Sequence, residues 1–439
     1  MFGTSGIRGP VGDMVTGSLA LDLGRALGSM SERLVVGRDA RESGEALAGA
    51  AIAGAQEAGA DVVDLGVEST PTIARSVAWY DADAGLDVTA SHNPPTDNGF
   101  KVWTATGEAF DDAATSTLET RMADAASQTV SPAAMGTVTH AQDARRRHLK
   151  RLPDRDLDGL SVVVDVGNGT GGLTVDALLA QGCDVRTLDA QRDGSFPGRP
   201  SEPTPEHCAL LSTVVAHTDA DLGIAHDGDA DRMMAVDETG QFVSGDELLA
   251  VFATETVPPG ASVAAPINTS SLLESVLSET GGTVVRTAVG DGNVAAACRE
   301  PSVAFGGEPS GAWIWPAEAR CPDGHYAASR LAALVASGRP LSERVDAFPN
   351  YVTRRESFAC ERNDALLDAA ESRIRDRYDE VSTLDGVRVD FETGWFLLRA
   401  SGTEPLVRVT AEADTERRAD ELLDEAMGCV RTTATQPQD

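Results

Sequence analysis

The sequence predicts an α/β protein of three similar units with mixed sheets, followed by a smaller α+β unit at its C-terminus. Two observations carry this. A pattern of apolar strand, loop, Ala/Leu-rich helix, glycine and second apolar strand recurs three times, and it stops after Phe348. The chain has 439 residues, enough for several domains at roughly 100–200 residues each.

The first copy, RLVVGRDARESGEALAGAAIAGAQEAGADVVDLG, runs from Arg33 to Gly66. The second, LSVVVDVGNGTGGLTVDALLAQGCDVRTLD, runs from Leu160 to Asp189, and the third, ASVAAPINTSSLLESVLSETGGTVVRTAVG, from Ala261 to Gly290. A β-branched run followed by a helix that ends on glycine is a βαβ pattern, which builds parallel or mixed sheets covered by helices on both faces. After Phe348, GVRVDFETGWFLLRASGTEPLVRVTAEA (Gly386 to Ala413) reads as strands joined by turns, between Arg- and Glu-rich helices. Polar stretches at 126–137, near Gly240 and at 336–350 are the expected linkers, giving units 1–137, 138–241, 242–346 and 347–439. The tail RTTATQPQD is expected to be disordered.

Composition excludes several classes of partner. Asp and Glu number 69 against 36 Lys and Arg, a net charge of −33, and only Lys101 and Lys150 are lysines. Nucleic acid and anionic membranes are therefore poor partners, and an anionic substrate must be held by local cations against the global field. Such a surface suits very high salt, where the Debye length falls to ~3 Å at 1 M; an ordinary acidic protein is the alternative. No stretch approaches the ~18 apolar residues of a membrane span. The start, MFGTSGIRGP, lacks the basic and apolar regions of a secretory signal. Six scattered cysteines, with no CxxC pair, point to reduced thiols, so a cytoplasmic protein is expected.

Five stretches could carry chemistry. In HDGDADR, Asp227, Asp229 and Asp231 alternate with small residues, so their carboxylates crowd one face or one point. Oxygen-only ligation suits Mg²⁺ or Ca²⁺, and the later Gly and bidentate Glu of an EF-hand are missing. Arg232 beside them suits an anion. In RASGTEPLVR, Arg399, the hydroxyls of Ser401 and Thr403, and the amides around Gly402 could cradle a phosphate; an ordinary Ser-Gly turn is the alternative. In GGEPSGAW, Glu308 and Ser310 could bind adjacent sugar hydroxyls; a plain turn is the alternative.

In TASHNPPTDNGFK, Ser91 precedes His92, which suggests a hydrolase pair. On an extended strand, however, neighbours point to opposite faces, and no nucleophile elbow is present. Lys101 closes that loop where this chain would be expected to use arginine, and it can transfer its proton, which arginine effectively cannot. It is a candidate general acid/base or phosphate contact. Finally, Gly167, Gly169 and Gly172, with Asp189 ending the next strand, spell a dinucleotide-binding fingerprint. An NAD(P)-dependent oxidoreductase is therefore an alternative, as is a Gly-rich turn of no special chemistry.

Taken together and in order, GTSGIRG, TASHNPPTDNGFK, DGDADR, GEPSG and RASGTEP resemble the α-D-phosphohexomutase family over nearly the whole chain. The resemblance implies four domains around a central cleft and phosphate transfer between O6 and O1 of a hexose, through a phosphoserine and a hexose 1,6-bisphosphate intermediate. It implies that Ser91 is the phosphoserine, Asp227, Asp229 and Asp231 hold one Mg²⁺ with it, Lys101 moves the proton, and Arg8 lines the cleft. Arg232, Asp291, Glu308, Ser310, Arg399, Ser401, Gly402 and Thr403 would bind the sugar phosphate. The loops RASGTEPLVRV and AVGDGNV look most like the phosphoglucosamine mutase branch, with phosphoglucomutase/phosphomannomutase as the alternative. A monomer or homodimer is expected. One departure stands out: many members have a histidine after SG in the sugar loop, where this chain has Ala312. A relative that binds the sugar phosphate without turning it over is a third alternative.

Overall fold

The computed structural model describes residues 3, 6–124, 129–360, 363–400 and 406–434. They form four sheets in chain order. In the first, the strands run spatially as Ile7–Pro10, Asp97–Thr104, Ala84–Val88, Arg33–Arg38, Asp61–Val67 and Val138–His140. The central pairs are parallel and the edge formed by Ile7–Pro10 and Asp97–Thr104 is antiparallel, so the sheet is mixed. The strand Val138–His140 opens the second expected unit, yet it pairs in parallel with Asp61–Val67 and completes the first sheet. Its three residues are too few to announce a strand, and a partner more than seventy residues earlier in the chain decides where they go.

The second sheet (five strands) and the third (four) repeat the scheme. In each, the βαβ repeat supplies a parallel pair: Ser161–Asp165 with Asp184–Leu188, and Ser262–Pro266 with Thr283–Thr287. Val162, Val163 and Val164 are buried in succession, as are Val263, Ala264 and Ala265. Burial without alternation means that both sheet faces are covered by helices, which is why these strands read as continuous apolar runs.

The fourth sheet is wholly antiparallel and backed by the helices Asn363–Arg375 and Glu416–Ala434. The last helix runs four residues into the tail expected to be disordered. In the strand Gly394–Ala400, Phe396 and Leu398 face the unit's own core. Trp395 and Leu397 alternate to the other side and pack on Ile267 of the third unit. One strand thus both builds the fourth unit and docks it. Among the described residues no helix is long and apolar enough to cross a membrane.

Candidate active site

The chemistry-bearing residues gather at the C-terminal ends of strands, where ligands bind in open α/β sheets. Ser91 follows the strand Ala84–Val88, Asp227 follows Leu222–His226, and Glu308 follows Val303–Gly307. Ser91 Oγ donates to Asp227 Oδ2 at 2.7 Å. Lys101 Nζ donates to Asp229 at 2.9 Å and to Asp231 at 2.5 Å. Residues 128 positions or more apart thus meet around one loop, and Ser91, Lys101 and all three aspartates are buried.

One oxygen from each aspartate lies within 4.8 Å of the others. Burial and neighbouring carboxylates push Asp227 well above the usual carboxylate range, and burial with Asp229 raises Asp231. Asp229 is held low despite its burial, chiefly by the Lys101 ammonium and by hydrogen bonds that include the one from Thr70. Buried Asp229 Oδ1 and Asp231 Oδ1 have no hydrogen-bond partner. Orphaned carboxylate oxygens at the focus of a like-charged cluster fit a hard divalent cation.

The serine loop is held by side chains that motif reading does not reach. Arg41, fully buried, spends all five guanidinium donors there. Nε meets Asp39 at 3.1 Å, and the two terminal nitrogens donate to the carbonyls of Ser91, Asn93, Pro94 and Asp97 at 2.6–2.8 Å. Thr70 Oγ1 lies 2.7 Å from Asp229 and 2.5 Å from Asp87. One hydroxyl hydrogen cannot serve two carboxylates. Burial pushes Asp87 well above its usual range. The one sequence signal for Arg41 is its position: like Ser91, it sits just past the C-terminal end of a parallel strand, Arg33–Arg38.

Around this centre stand the other expected residues. Arg8 pairs across the sheet with Gly99, and its Nε is buried without a partner. Arg232 forms a strand-like bridge with Ala312 and a 3.4 Å ion pair with Glu202. Buried Ala312 therefore lies against the aspartate loop. Glu308 Oε1 accepts from Gly290 N at 2.8 Å and Oε2 from Ser310 Oγ at 3.2 Å, while burial and Asp291 raise its pKa. Asp291 begins the helix Asp291–Ala297. Arg399 Nε donates to Asp385 at 2.9 Å, and the same carboxylate oxygen accepts from Val289 N at 2.8 Å. Ser401, Gly402 and Thr403 lie outside the described residues.

The chain matches the family description phosphoglucomutase/phosphomannomutase, alpha/beta/alpha domain I over residues 1–129, domain II over 142–240, domain III over 244–351, and the C-terminal domain over 353–428. A probable phosphoglucosamine mutase of Methanopyrus kandleri is 46% identical, covering 98% of this chain and 97% of its own. The chain belongs to the phosphoglucomutase/phosphomannomutase family. A probable phosphoglucosamine mutase of Methanosarcina barkeri is 42% identical over 97% of this chain and 98% of its own. Among solved structures, a phosphoglucomutase/phosphomannomutase family protein of Burkholderia thailandensis superposes with a TM-score of 0.88 at 30% identity, covering 100% of this chain and 99% of that one. Phosphohexomutase chemistry and the four-unit architecture thus follow from membership as well as from the motifs.

Two expectations need correction. Ser91 is not on an extended strand: its φ is +50°, in a turn, and His92 Nδ1 lies 3.4 Å from Ser91 Oγ. The geometric ground for setting His92 aside does not hold. Electrostatics sets it aside instead, because Arg232, burial and Arg8 push its pKa down to about 2. The dinucleotide fingerprint also does other work. A Cβ on Gly169 would lie 2.3 Å from the carbonyl oxygen of Gly228, so the Gly-rich loop packs directly on the aspartate loop. Asp189 faces Gly198, whose Cβ position is 2.2 Å from its carboxylate. Close packing accounts for these glycines, and family membership removes the oxidoreductase expectation.

Proposed function

We propose that the protein is a phosphoglucosamine mutase that interconverts the 6- and 1-phosphates of glucosamine, with Ser91 as phosphoryl carrier. The observation that carries this is the placement of Ser91 Oγ, 2.7 Å from Asp227, on the rim of a buried carboxylate triad that Lys101 shares. The choice of glucosamine is supported by relatives such as those of Methanopyrus kandleri and Methanosarcina barkeri, each named a probable phosphoglucosamine mutase.

On this reading, phosphorylated Ser91 gives up its phosphoryl group as a sugar hydroxyl attacks. The Oγ–P bond breaks, a sugar O–P bond forms, and a hexose 1,6-bisphosphate results. The bisphosphate turns over in the cleft and returns its other phosphoryl group to Ser91 Oγ. The proton that leaves the attacking hydroxyl in the first half returns to the departing sugar oxygen in the second. Lys101 Nζ is placed to carry it: as the free amine it accepts the proton, and as the ammonium that Asp229 and Asp231 stabilise against burial it gives the proton back. Asp227, Asp229 and Asp231 would hold Mg²⁺, which supplies charge neutralisation at the transferring group. Glu308 and Ser310 take the sugar hydroxyls, Arg399 takes the phosphate that is not being transferred, and Arg8 and Arg232 offset its charge in the cleft. The acidic balance of the chain supports work at molar salt, read as turnover that rises with KCl.

Phosphopeptide mapping of the purified protein should find phosphate on Ser91. Ser91→Ala should abolish conversion of glucosamine 6-phosphate in a folded protein, and full turnover in that variant would end the proposal. Glucose and mannose phosphates assayed beside it test the choice of sugar.

A further inference from the structure

Behind the aspartate loop lies a buried polar chain for which the mechanism above has no use. His226, on the strand that leads into the loop, places Nδ1 2.9 Å from the Arg232 carbonyl. Its Nε2 is 2.7 Å from Thr174 Oγ1, on the helix Gly172–Ala180. Thr174 Oγ1 is in turn 2.9 Å from Nδ1 of His325, on the helix Gly324–Ala336 of the third unit. His325 Nε2 is 3.0 Å from Ser69 Oγ in the first unit. All four side chains are buried at 2% exposure or less.

The first bond has a fixed direction. A carbonyl can only accept, so His226 Nδ1 carries the hydrogen and, in a neutral ring, Nε2 must accept it from Thr174. The same Thr174 hydroxyl meets His325 Nδ1, and that ring is tied through Nε2 to Ser69. The helix that bears His325 also comes unusually close. A Cβ on Gly324 would lie 2.5 Å from the Arg232 carbonyl oxygen and 2.8 Å from that of Ala230.

We propose that Thr174 and His325 are positioning residues for the aspartate loop. They fix the His226 ring, and through it the Arg232 carbonyl, so that the cation affinity of Asp227, Asp229 and Asp231 depends on a helix of the third unit. This rests on the reading of the triad as a cation site. A group that orients a metal-binding loop through one intervening ring is worth on the order of tenfold in metal affinity.

The test is Mn²⁺ binding to the full-length protein, followed by electron paramagnetic resonance of the free ion. Wild type should bind one Mn²⁺, and Asp229→Asn should lose it; if that fails, the cation reading itself is wrong. Given that binding, Thr174→Val, which keeps the shape and removes the hydroxyl, should weaken Mn²⁺ about tenfold. Thr174→Ser and His325→Asn, which keep a hydroxyl and a polar atom at the Nδ1 position, should bind within about twofold of wild type. Should Thr174→Val not fold, His325→Gln, which has no polar atom at the Nδ1 position, is expected to show the same weakening. Unchanged affinity in the variant that is read, or equal weakening in Thr174→Ser, would overturn the proposal.

Discussion

Arg41 and Arg399 each stand beside a turn that would handle phosphate, and they are held in opposite ways. Arg41 is fully buried, and its five donors are spent on four carbonyls of the serine loop and on Asp39. Arg399 keeps 29% of its side chain exposed and, among the described residues, pairs with Asp385. The first arrangement fixes a backbone in a strained turn, with Ser91 at φ +50°. The second parks a cation on a carboxylate that an incoming phosphate dianion can replace. Phosphoryl transfer gains most from positioning and preorganised charge, so the rigid pole belongs with the donor. The exchangeable pole belongs with a substrate that must enter, turn round and leave.

The hardest blow to the rigid pole should come at Lys101. Lys101→Met is expected to lower kcat by roughly 10²–10⁴ with little change in KM. Lys101→Arg keeps the charge but cannot give up its proton, and should stay low in steady-state assays. Recovery in Lys101→Arg would reduce the residue to a charge. Next comes Arg41→Met, which leaves Asp39 buried without its cation and four carbonyls without donors. Breaking such a pair costs about 3–5 kcal/mol. A lower denaturant midpoint, with turnover falling beside it, is expected; a wild-type midpoint would show that the loop holds itself. At the other pole, Arg399→Lys should raise KM for the sugar phosphate about tenfold and leave kcat within twofold, as loss of one forked, charged contact implies. A fall in kcat at saturating substrate would instead place Arg399 with the rigid group.

The same contrast explains what could be read in the sequence. The three repeats are legible because each strand–helix–strand unit is local, and its alternation of apolar and glycine residues is a backbone requirement. Ser91, Lys101 and the aspartates stand out by a lysine in a chain with only two and by carboxylates at fixed spacing, and the fold brings them together. What holds them is not legible. Thr174 and His325 lie 151 residues apart, and each is an unremarkable helix residue until the fold brings them within 2.9 Å. Arg41 looks like any surface arginine in a chain rich in them. His92 misleads in the other direction. An extended strand through Ala90 and Ser91 is the simplest continuation of Ala84–Val88, but Asn93, Pro94 and Pro95 turn the chain early, and Ser91 takes the left-handed conformation.

The smallest effect tests whether strain in the aspartate loop serves its shape. Ala230 stands at φ +56°, a conformation that costs an alanine about 1 kcal/mol or more. The loop accepts this because Ala230 is wholly buried and its carbonyl oxygen faces the start of the helix Gly324–Ala336. Ala230→Gly removes the strain but gives the unfolded chain more freedom to lose, so the two terms oppose each other. A gain in stability below about 1 kcal/mol is expected, seen as a slightly higher denaturant midpoint. Turnover should stay within twofold, because the fold around the loop, not the side chain at 230, imposes the geometry. If turnover fell tenfold with the midpoint unmoved, alanine at this position would be restraining the loop itself. The rigidity around Ser91 would then originate partly within the aspartate loop rather than in the arginine and the histidines packed against it.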